Sequence, residues 1–390
     1  MERVRQLASH LYTPQGSEAL HRKSPDDVVI TLAVRSPLCK ARKGGFKDAR
    51  SVIPLLNIPH FNGIQQVISQ SKIDPALVGD ICVGTAYHAR AASLAAGFPE
   101  SVPVQCINRF CSSGLMAVTT IANQIRSGQI EVGLAVGVES MSENPDKGGP
   151  QQSELISENA ASRDCSKPMG WTSENVAEEF VVTREEQDQF AALSFQRAEH
   201  AQKSGYFDKE IVPFTVYQKD PKIGERTPVF ITKDDGIRPG TTTDKLAKIK
   251  SAFPQWGKAT TTGGNASQIT DGAAAVLMMT RKKAEELGYT ILGKHVTTAV
   301  AGLPPRIMGI GPIYAIPMAL KSCGITQDDV DLYEINEAFA SQCVYVLRAL
   351  GLSRYVATGL NELQRRQGKI LVTSMCIGTG MGAAGVFVRD

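Results

Sequence analysis

Val102-Pro103-Val104-Gln105-Cys106-Ile107-Asn108-Arg109-Phe110-Cys111-Ser112-Ser113-Gly114, followed by Leu115, Val118, Ala122 and Ile125, is the stretch on which the fold turns. Residues 102–107 read as a strand that runs straight into a turn of small residues. The next apolar residues recur at helical spacing until Gly128 stops them, and residues 132–138 read as another strand. Strand, turn, helix and strand in that order imply an α/β protein with a mostly parallel sheet. Outward from this unit, residues 28–34 and 81–84 are earlier strands, and residues 296–300 and 332–335 later ones. Residues 312–323 are helical, and a further helix turns Phe339, Val344, Leu347 and Leu350 inward. Ile370-Leu371-Val372, a run of glycines and Val386-Phe387-Val388 read as strand, loop, strand.

The middle of the chain differs. Residues 139–254 are polar and hold a helix opened by the capping box Thr183-Arg184-Glu185-Glu186 and ended before Gly205. They read as a loop domain inserted into a doubled unit. Residues 74–83 and 326–335 repeat an acidic turn, a short strand and a polar junction. The expected division is a lead at 1–25, a first half from 26–138 and 255–284, the loop domain at 139–254, and a second half at 285–390.

Of 390 residues, 42% are hydrophobic and 21% charged, a globular composition rather than a disordered one. A net charge of +3 is too balanced for binding built on neutralising many phosphates, so no nucleic-acid partner is expected. The eight cysteines show no Cys-x-x-Cys spacing and no cluster with histidine, so no metal site is expected and the thiols read as reduced and intracellular. Residues 370–388 carry no charge, but Gly378, Gly380, Gly382 and Gly385 break them, so no membrane span is expected. Near the start, Val4, Leu7 and Leu11 share a helical face with His10 at its edge. Arg3-Val4, five residues, then His10-Leu11 resembles a type 2 peroxisomal targeting signal, which an import receptor reads; the plain alternative is a frayed terminal helix.

Four places could carry chemistry. Cys111 stands between a strand and the first turn of a helix, where free backbone N–H groups and the helix dipole favour a thiolate; a buried core cysteine at a tight turn is the competing reading. Cys376 opens Cys376-Ile377-Gly378-Thr379-Gly380-Met381-Gly382, whose glycines can present backbone N–H groups to an anion, as hairpin glycines also can. Asn336 follows a strand at the carboxyl end of a sheet, as an amide donor to a carbonyl or as a helix cap. Residues 260–267 form a polar loop before a helix start at Asp271-Gly272-Ala273.

Taken in order, Asn108–Gly114, Gly264-Asn265-Ala266-Ser267, Met308-Gly309-Ile310-Gly311-Pro312, Asn336-Glu337-Ala338-Phe339-Ala340 and the Cys376 loop resemble the motifs of thiolases, as does Pro168-Met169-Gly170-Trp171-Thr172-Ser173-Glu174-Asn175. The resemblance spans about residues 28–388 and is strongest to the peroxisomal, degradative branch. It implies a layered α-β-α-β-α fold of two similar βαβαβαββ halves, a loop domain over bound coenzyme A, and a homodimer. It implies thiolytic cleavage of a 3-ketoacyl-CoA by coenzyme A in fatty-acid β-oxidation in the peroxisome matrix, with acyl-CoA and coenzyme A as its small-molecule partners and no cofactor. By the same resemblance Cys111 takes up the acyl group and Cys376 is the acid/base. Asn336 positions a water in one oxyanion hole, the N–H groups of Cys111 and Gly378 form the other, and Ser267, Met169 and Phe339 wall the coenzyme.

One departure matters. Thiolases carry a Gly-His-Pro turn between the Asn-Glu-Ala-Phe motif and the last cysteine loop. Here the histidines are at 10, 21, 60, 88, 200 and 295, and Gly351-Leu352-Ser353-Arg354 runs directly into Tyr355-Val356. A segment is therefore expected to be missing near 354/355, removing the base for Cys111, one oxyanion donor and a central strand. Nothing in the sequence places His88 beside Cys111. Pro54 and Pro59 interrupt a family helix, and residues 84–88 look shortened. The expectation is a much weakened enzyme. Its alternatives are a catalytically silent acyl-CoA-binding or dimerising form, and a ketoacyl synthase, against which the Cys376 loop argues.

Overall fold

The computed structural model describes residues 16–48, 70–84, 89–142, 153–220, 222–352 and 359–390. The first half contributes strands β1 (Val28–Arg35), β2 (Cys39–Lys40), β3 (Asp80–Gly84) and β4 (Val104–Ile107), helix α1 (Ser113–Arg126) and strand β5 (Val132–Ser140). Helices α2 (Met169–Glu179) and α3 (Arg184–Lys203) and the hairpin β6 (Phe214–Lys219) and β7 (Arg226–Ile231) intervene before β8 (Thr270–Thr280). The second half is β9 (Gly293–Gly302), α4 (Gly311–Cys323), β10 (Leu332–Ile335), α5 (Ala340–Leu350), α6 (Gly359–Arg365), β11 (Ile370–Ile377) and β12 (Met381–Arg389).

The strand order is β10-β11-β12-β9-β1-β8-β5-β3-β4, with β2 on β8. It is one pattern used twice. β3 and β5 pair in parallel, then β5 with β8 and β8 with β1 antiparallel. In the second half β10 and β11 pair in parallel, then β11 with β12 and β12 with β9 antiparallel. The halves meet where Val29 and Ile30 of β1 face Lys294 and Gly293 of β9. The sheet is thus mixed rather than mostly parallel, because each half returns through a hairpin-like neighbour instead of a crossover. Asp271-Gly272-Ala273, expected to start a helix, lie instead in strand β8, which runs between β1 and β5. On α5 Ala340, Ser341, Gln342, Cys343, Val346 and Leu350 are buried, while Val344, Leu347 and the capping Phe339 are only half-buried.

Three cores separate the layers. One lies outside the first half, one under α4 and α5, and one between the halves around Leu115, Val118, Ile121 and Ile125 of α1 with Leu363 of α6. A helix buried on several faces belongs in a middle layer. Its approach depends on glycine: a side chain on Gly133 would strike Ile121, and Gly114 lies against Gly137. β4, on the outside of the first half, pairs with β3; among the described residues β10 pairs only with β11. The position equivalent to β4 is therefore a sheet edge, not a central strand. Among the described residues the matching helix, α6, spans 7 residues against 14 in α1.

At the seam Arg126 donates to the carbonyls of His295 and Val296 and to His295 Nδ1 at 2.9 Å, and His295 Nε2 meets Thr298 Oγ1 at 2.9 Å. Burial, then the Arg126 charge, hold His295 well below its ordinary value, and burial brings Arg126 down to about 10. His295 is thus neutral in the fold but protonates in the unfolded chain below about pH 6.5. Below that pH the unfolded state binds the extra proton, so this site should cost about 1.4 kcal/mol of stability per pH unit. Denaturant midpoints between pH 8 and pH 5.5 should fall more steeply for the native chain than for His295→Gln, which cannot titrate.

Candidate active site

The turn after β4 is built by its own side chains. Asn108 Oδ1 accepts the Phe110 N–H at 2.8 Å, Ser113 Oγ accepts the Arg109 N–H at 3.0 Å, and Ser112 Oγ donates to the Arg109 carbonyl at 3.0 Å. These bonds hold Phe110 at φ 47°, a left-handed conformation that a bulky residue rarely adopts. The chain so kinked presents Cys111, which is exposed, at the entrance of α1. Gly84 at the end of β3 lets α1 come this close, since a side chain there would lie 2.8 Å from Ser113.

Cys376 arrives from the second half, next to last in β11 and fully buried. Burial pushes its thiol strongly up, and the sulfur of Cys111 acts on it in the same sense. The turn that carries Cys111 packs against β11, which carries Cys376, so two cysteines 265 positions apart in sequence are brought close. The loop after Cys376 turns through Thr379 at φ 67° and Gly380 at φ 87°. A side chain on Gly380 would collide with the Leu303 carbonyl and Pro305, so Gly380→Ala is both strained and blocked. It should lower thermal stability by at least ~2 kcal/mol, read from the unfolding midpoint. A side chain on Gly378 would touch Met169 Sδ at 3.6 Å and Phe110 at 3.9 Å, so the Cys111 turn, the glycine loop and α2 converge.

Asn336 is fixed by its backbone. Its N–H donates to Ser374 at 2.9 Å, and its carbonyl accepts Gln342 Nε2 at 3.2 Å and the Cys343 thiol at 3.8 Å. The 260–267 loop is anchored through Glu174, which accepts the N–H groups of Thr260 and Thr261 at 2.8 Å, and through Asn265 to Asp188 at 3.0 Å. It then zips to the Asn336 segment, Ser267 N–H to Ala338 and Ala340 N–H to Asn265.

These pieces enclose a cavity of about 1480 Å³, above the ~300–1,000 Å³ usual for small ligands. Cys111, Met169, Ser267, Asn336 and Gly378 line it. Cys376 lies behind the wall, and Phe339 does not line it but joins the backbone zip opposite Ala266. Sequence reading missed Arg35, Arg238, Phe195 and Glu139, which also line the cavity, as does Lys167, the residue before the Pro168-Met169 motif. Arg35 forks onto Asp234 at 2.8 and 3.0 Å, and Arg238 sits 5.9 Å from the Phe195 ring. No local motif marks them, because they come from distant elements. Of the described histidines, 21, 200 and 295, none lines the cavity. No group of three or more metal-type ligands occurs among the described residues, and no described helix is long and apolar enough to cross a membrane. Arg3, Val4, His10, Leu11, His88 and the 354/355 junction lie outside the described residues.

The family model described as "Thiolase, N-terminal domain" matches residues 28–282, and "Thiolase, C-terminal domain" matches residues 289–355. The chain is 45% identical over 425 residues to the peroxisomal 3-ketoacyl-CoA thiolase of Yarrowia lipolytica, covering 100% of both. It is 44% identical over 428 residues to the human peroxisomal 3-ketoacyl-CoA thiolase, covering 99% of each. Among solved structures, the dimeric peroxisomal thiolase of Saccharomyces cerevisiae superposes with a TM-score of 0.85 at 40% identity, over 96% of this chain and 100% of that one. With 425 aligned positions against 390 residues, about 35 positions of the Yarrowia relative face no residue here. The C-terminal match stops at 355, beside the junction where the Gly-His-Pro turn was expected.

Proposed function

Because the chain belongs to the thiolase family, we propose that it cleaves a 3-ketoacyl-CoA with coenzyme A to acyl-CoA and acetyl-CoA, a step of fatty-acid β-oxidation. The observation that carries this reading is the pairing of an exposed Cys111 with a buried Cys376 at one large cavity. Cys111 attacks the 3-keto carbon and keeps the acyl group as a thioester. Cys376, held as a neutral thiol, has the proton that the departing acetyl-CoA enolate takes up, and as a thiolate it accepts the proton of the incoming coenzyme A. The Asn336 amide and the N–H groups of Cys111 and Gly378 stabilise the oxyanions. Met169 and Ser267 wall the pantetheine arm, and Lys167 and Arg238 suit its phosphates. Coenzyme A is a substrate, and no cofactor takes part.

The same reading makes the protein a homodimer of the peroxisome matrix, imported through Arg3, Val4, His10 and Leu11, with the division at 26–138 with 255–284, 139–254 and 285–390. Incubation with acetoacetyl-CoA followed by peptide mass spectrometry tests it. Acetylation confined to Cys111 is expected; tight binding with no covalent adduct would instead mark a silent acyl-CoA-binding protein.

A further inference from the structure

Cys111 needs a group to take its proton, and among the described residues no histidine reaches the cavity. Of the described residues, three carboxylates line the cavity: Asp234 is taken by Arg35, Glu337 accepts from Ser194, and Glu139 stands on β5. Along β5, Val132, Leu134, Val136 and Val138 face the outer core, while Gly133, Ala135 and Gly137 face α1. Side chains alternate across a strand, so Glu139 faces α1 as well. Gly137 touches Gly114 near the start of α1, and Glu139 stands two residues, about 7 Å, further along the strand, past the helix end where Cys111 sits. Both Glu139 and Cys111 line the cavity.

We infer that Glu139 is the proton acceptor for Cys111 in this chain, a role that rests on the thiolytic reading above. The S–H bond of Cys111 breaks and its proton passes to the Glu139 carboxylate. The sulfur pair forms the bond to the 3-keto carbon, and the C2–C3 electrons leave with acetyl-CoA and take the Cys376 proton. In the second half-reaction coenzyme A gives its proton to Cys376 and displaces Cys111, which recovers its own from Glu139.

Glu139 is exposed at the cavity wall, but partial desolvation of its carboxyl, and then Asp271 on the neighbouring β8, raise it above the ordinary carboxylate range against the Ser140 N–H, which lowers it. A carboxylate moved toward neutrality is a better base than a free one. The groups at this end of β5 are Asp271 from β8, bonded to Ser140 and Ser142, Arg35 from β1, paired with Asp234 and Glu210, and Cys111 from the turn before α1. Asp80 of β3 and Arg126 of α1 lie at the opposite end.

The test is the rate of Cys111 alkylation by iodoacetamide, followed by peptide mass spectrometry from pH 5 to 10 without substrate. The native chain should show an inflection between the carboxylate and thiol ranges, below which alkylation slows. Glu139→Gln should lose that inflection and alkylate at least ~10-fold more slowly at pH 7.5, with acylation by acetoacetyl-CoA falling about 10²-fold or more. Glu139→Asp should keep a shifted inflection. Identical profiles for the native chain and Glu139→Gln would overturn the inference. If Glu139→Gln does not fold, a native profile with a single thiol-like step overturns it equally. The alkylation readout needs no acyl transfer: a native chain that acylates normally while Glu139→Gln alkylates unchanged sinks this inference alone, and a native chain that never acylates sinks the thiolytic reading.

Discussion

Cys111→Ala should reduce thiolysis of acetoacetyl-CoA on the order of 10⁴-fold or more and abolish the covalent adduct, while the protein stays folded. Cys111 is exposed at the cavity, so removing its sulfur takes the nucleophile without opening a core. Cys376→Ala should behave differently. It removes a buried thiol that moves protons rather than bonds to substrate, so adduct formation should survive, slowed by about 10²–10⁴-fold. Burst measurements with mass spectrometry separate the two. Equal adduct yields from Cys111→Ala and the native chain would overturn the assignment.

The second large effect is a gain. Inserting a strand and Gly-His-Pro turn between Arg354 and Tyr355 should raise kcat/KM by about 10²–10³-fold, the usual worth of one oxyanion donor, before any contribution from the histidine as a base. Steady-state thiolysis of the two chains side by side decides this. Comparable rates would mean that the shortened chain is already fully competent, and the expectation of a weakened enzyme would fall. With Glu139 as acceptor, the insertion should also mask the effect of Glu139→Gln, because the proton then has two destinations.

Local pattern revealed much of this fold. The strand and helix around Cys111 were legible because apolar period and glycine stops act within a few residues. So was the capping box of α3, present as expected with Thr183 and Glu186. What failed were matters of partnership. Asp271-Gly272-Ala273 read as a helix start because Asp-Gly-Ala resembles a first turn, yet pairing of β8 on both sides with β1 and β5 makes them part of a strand. Phe339 looked like a ligand wall, but its backbone is taken by the zip to Ala266. The cationic and acidic members of the cavity, Arg35, Lys167, Arg238 and Glu139, come from four separate places and converge only in three dimensions.

The doubling of the fold has a kinetic meaning. Each half delivers a different sulfur, and among the described residues the half with all five strand positions filled is the one that carries Cys111. What the leaner copy forfeits is therefore felt at a sulfur that the fuller copy carries. Such a protein would load its substrate's acyl fragment slowly, so that a loss in one half throttles a nucleophile held by the other.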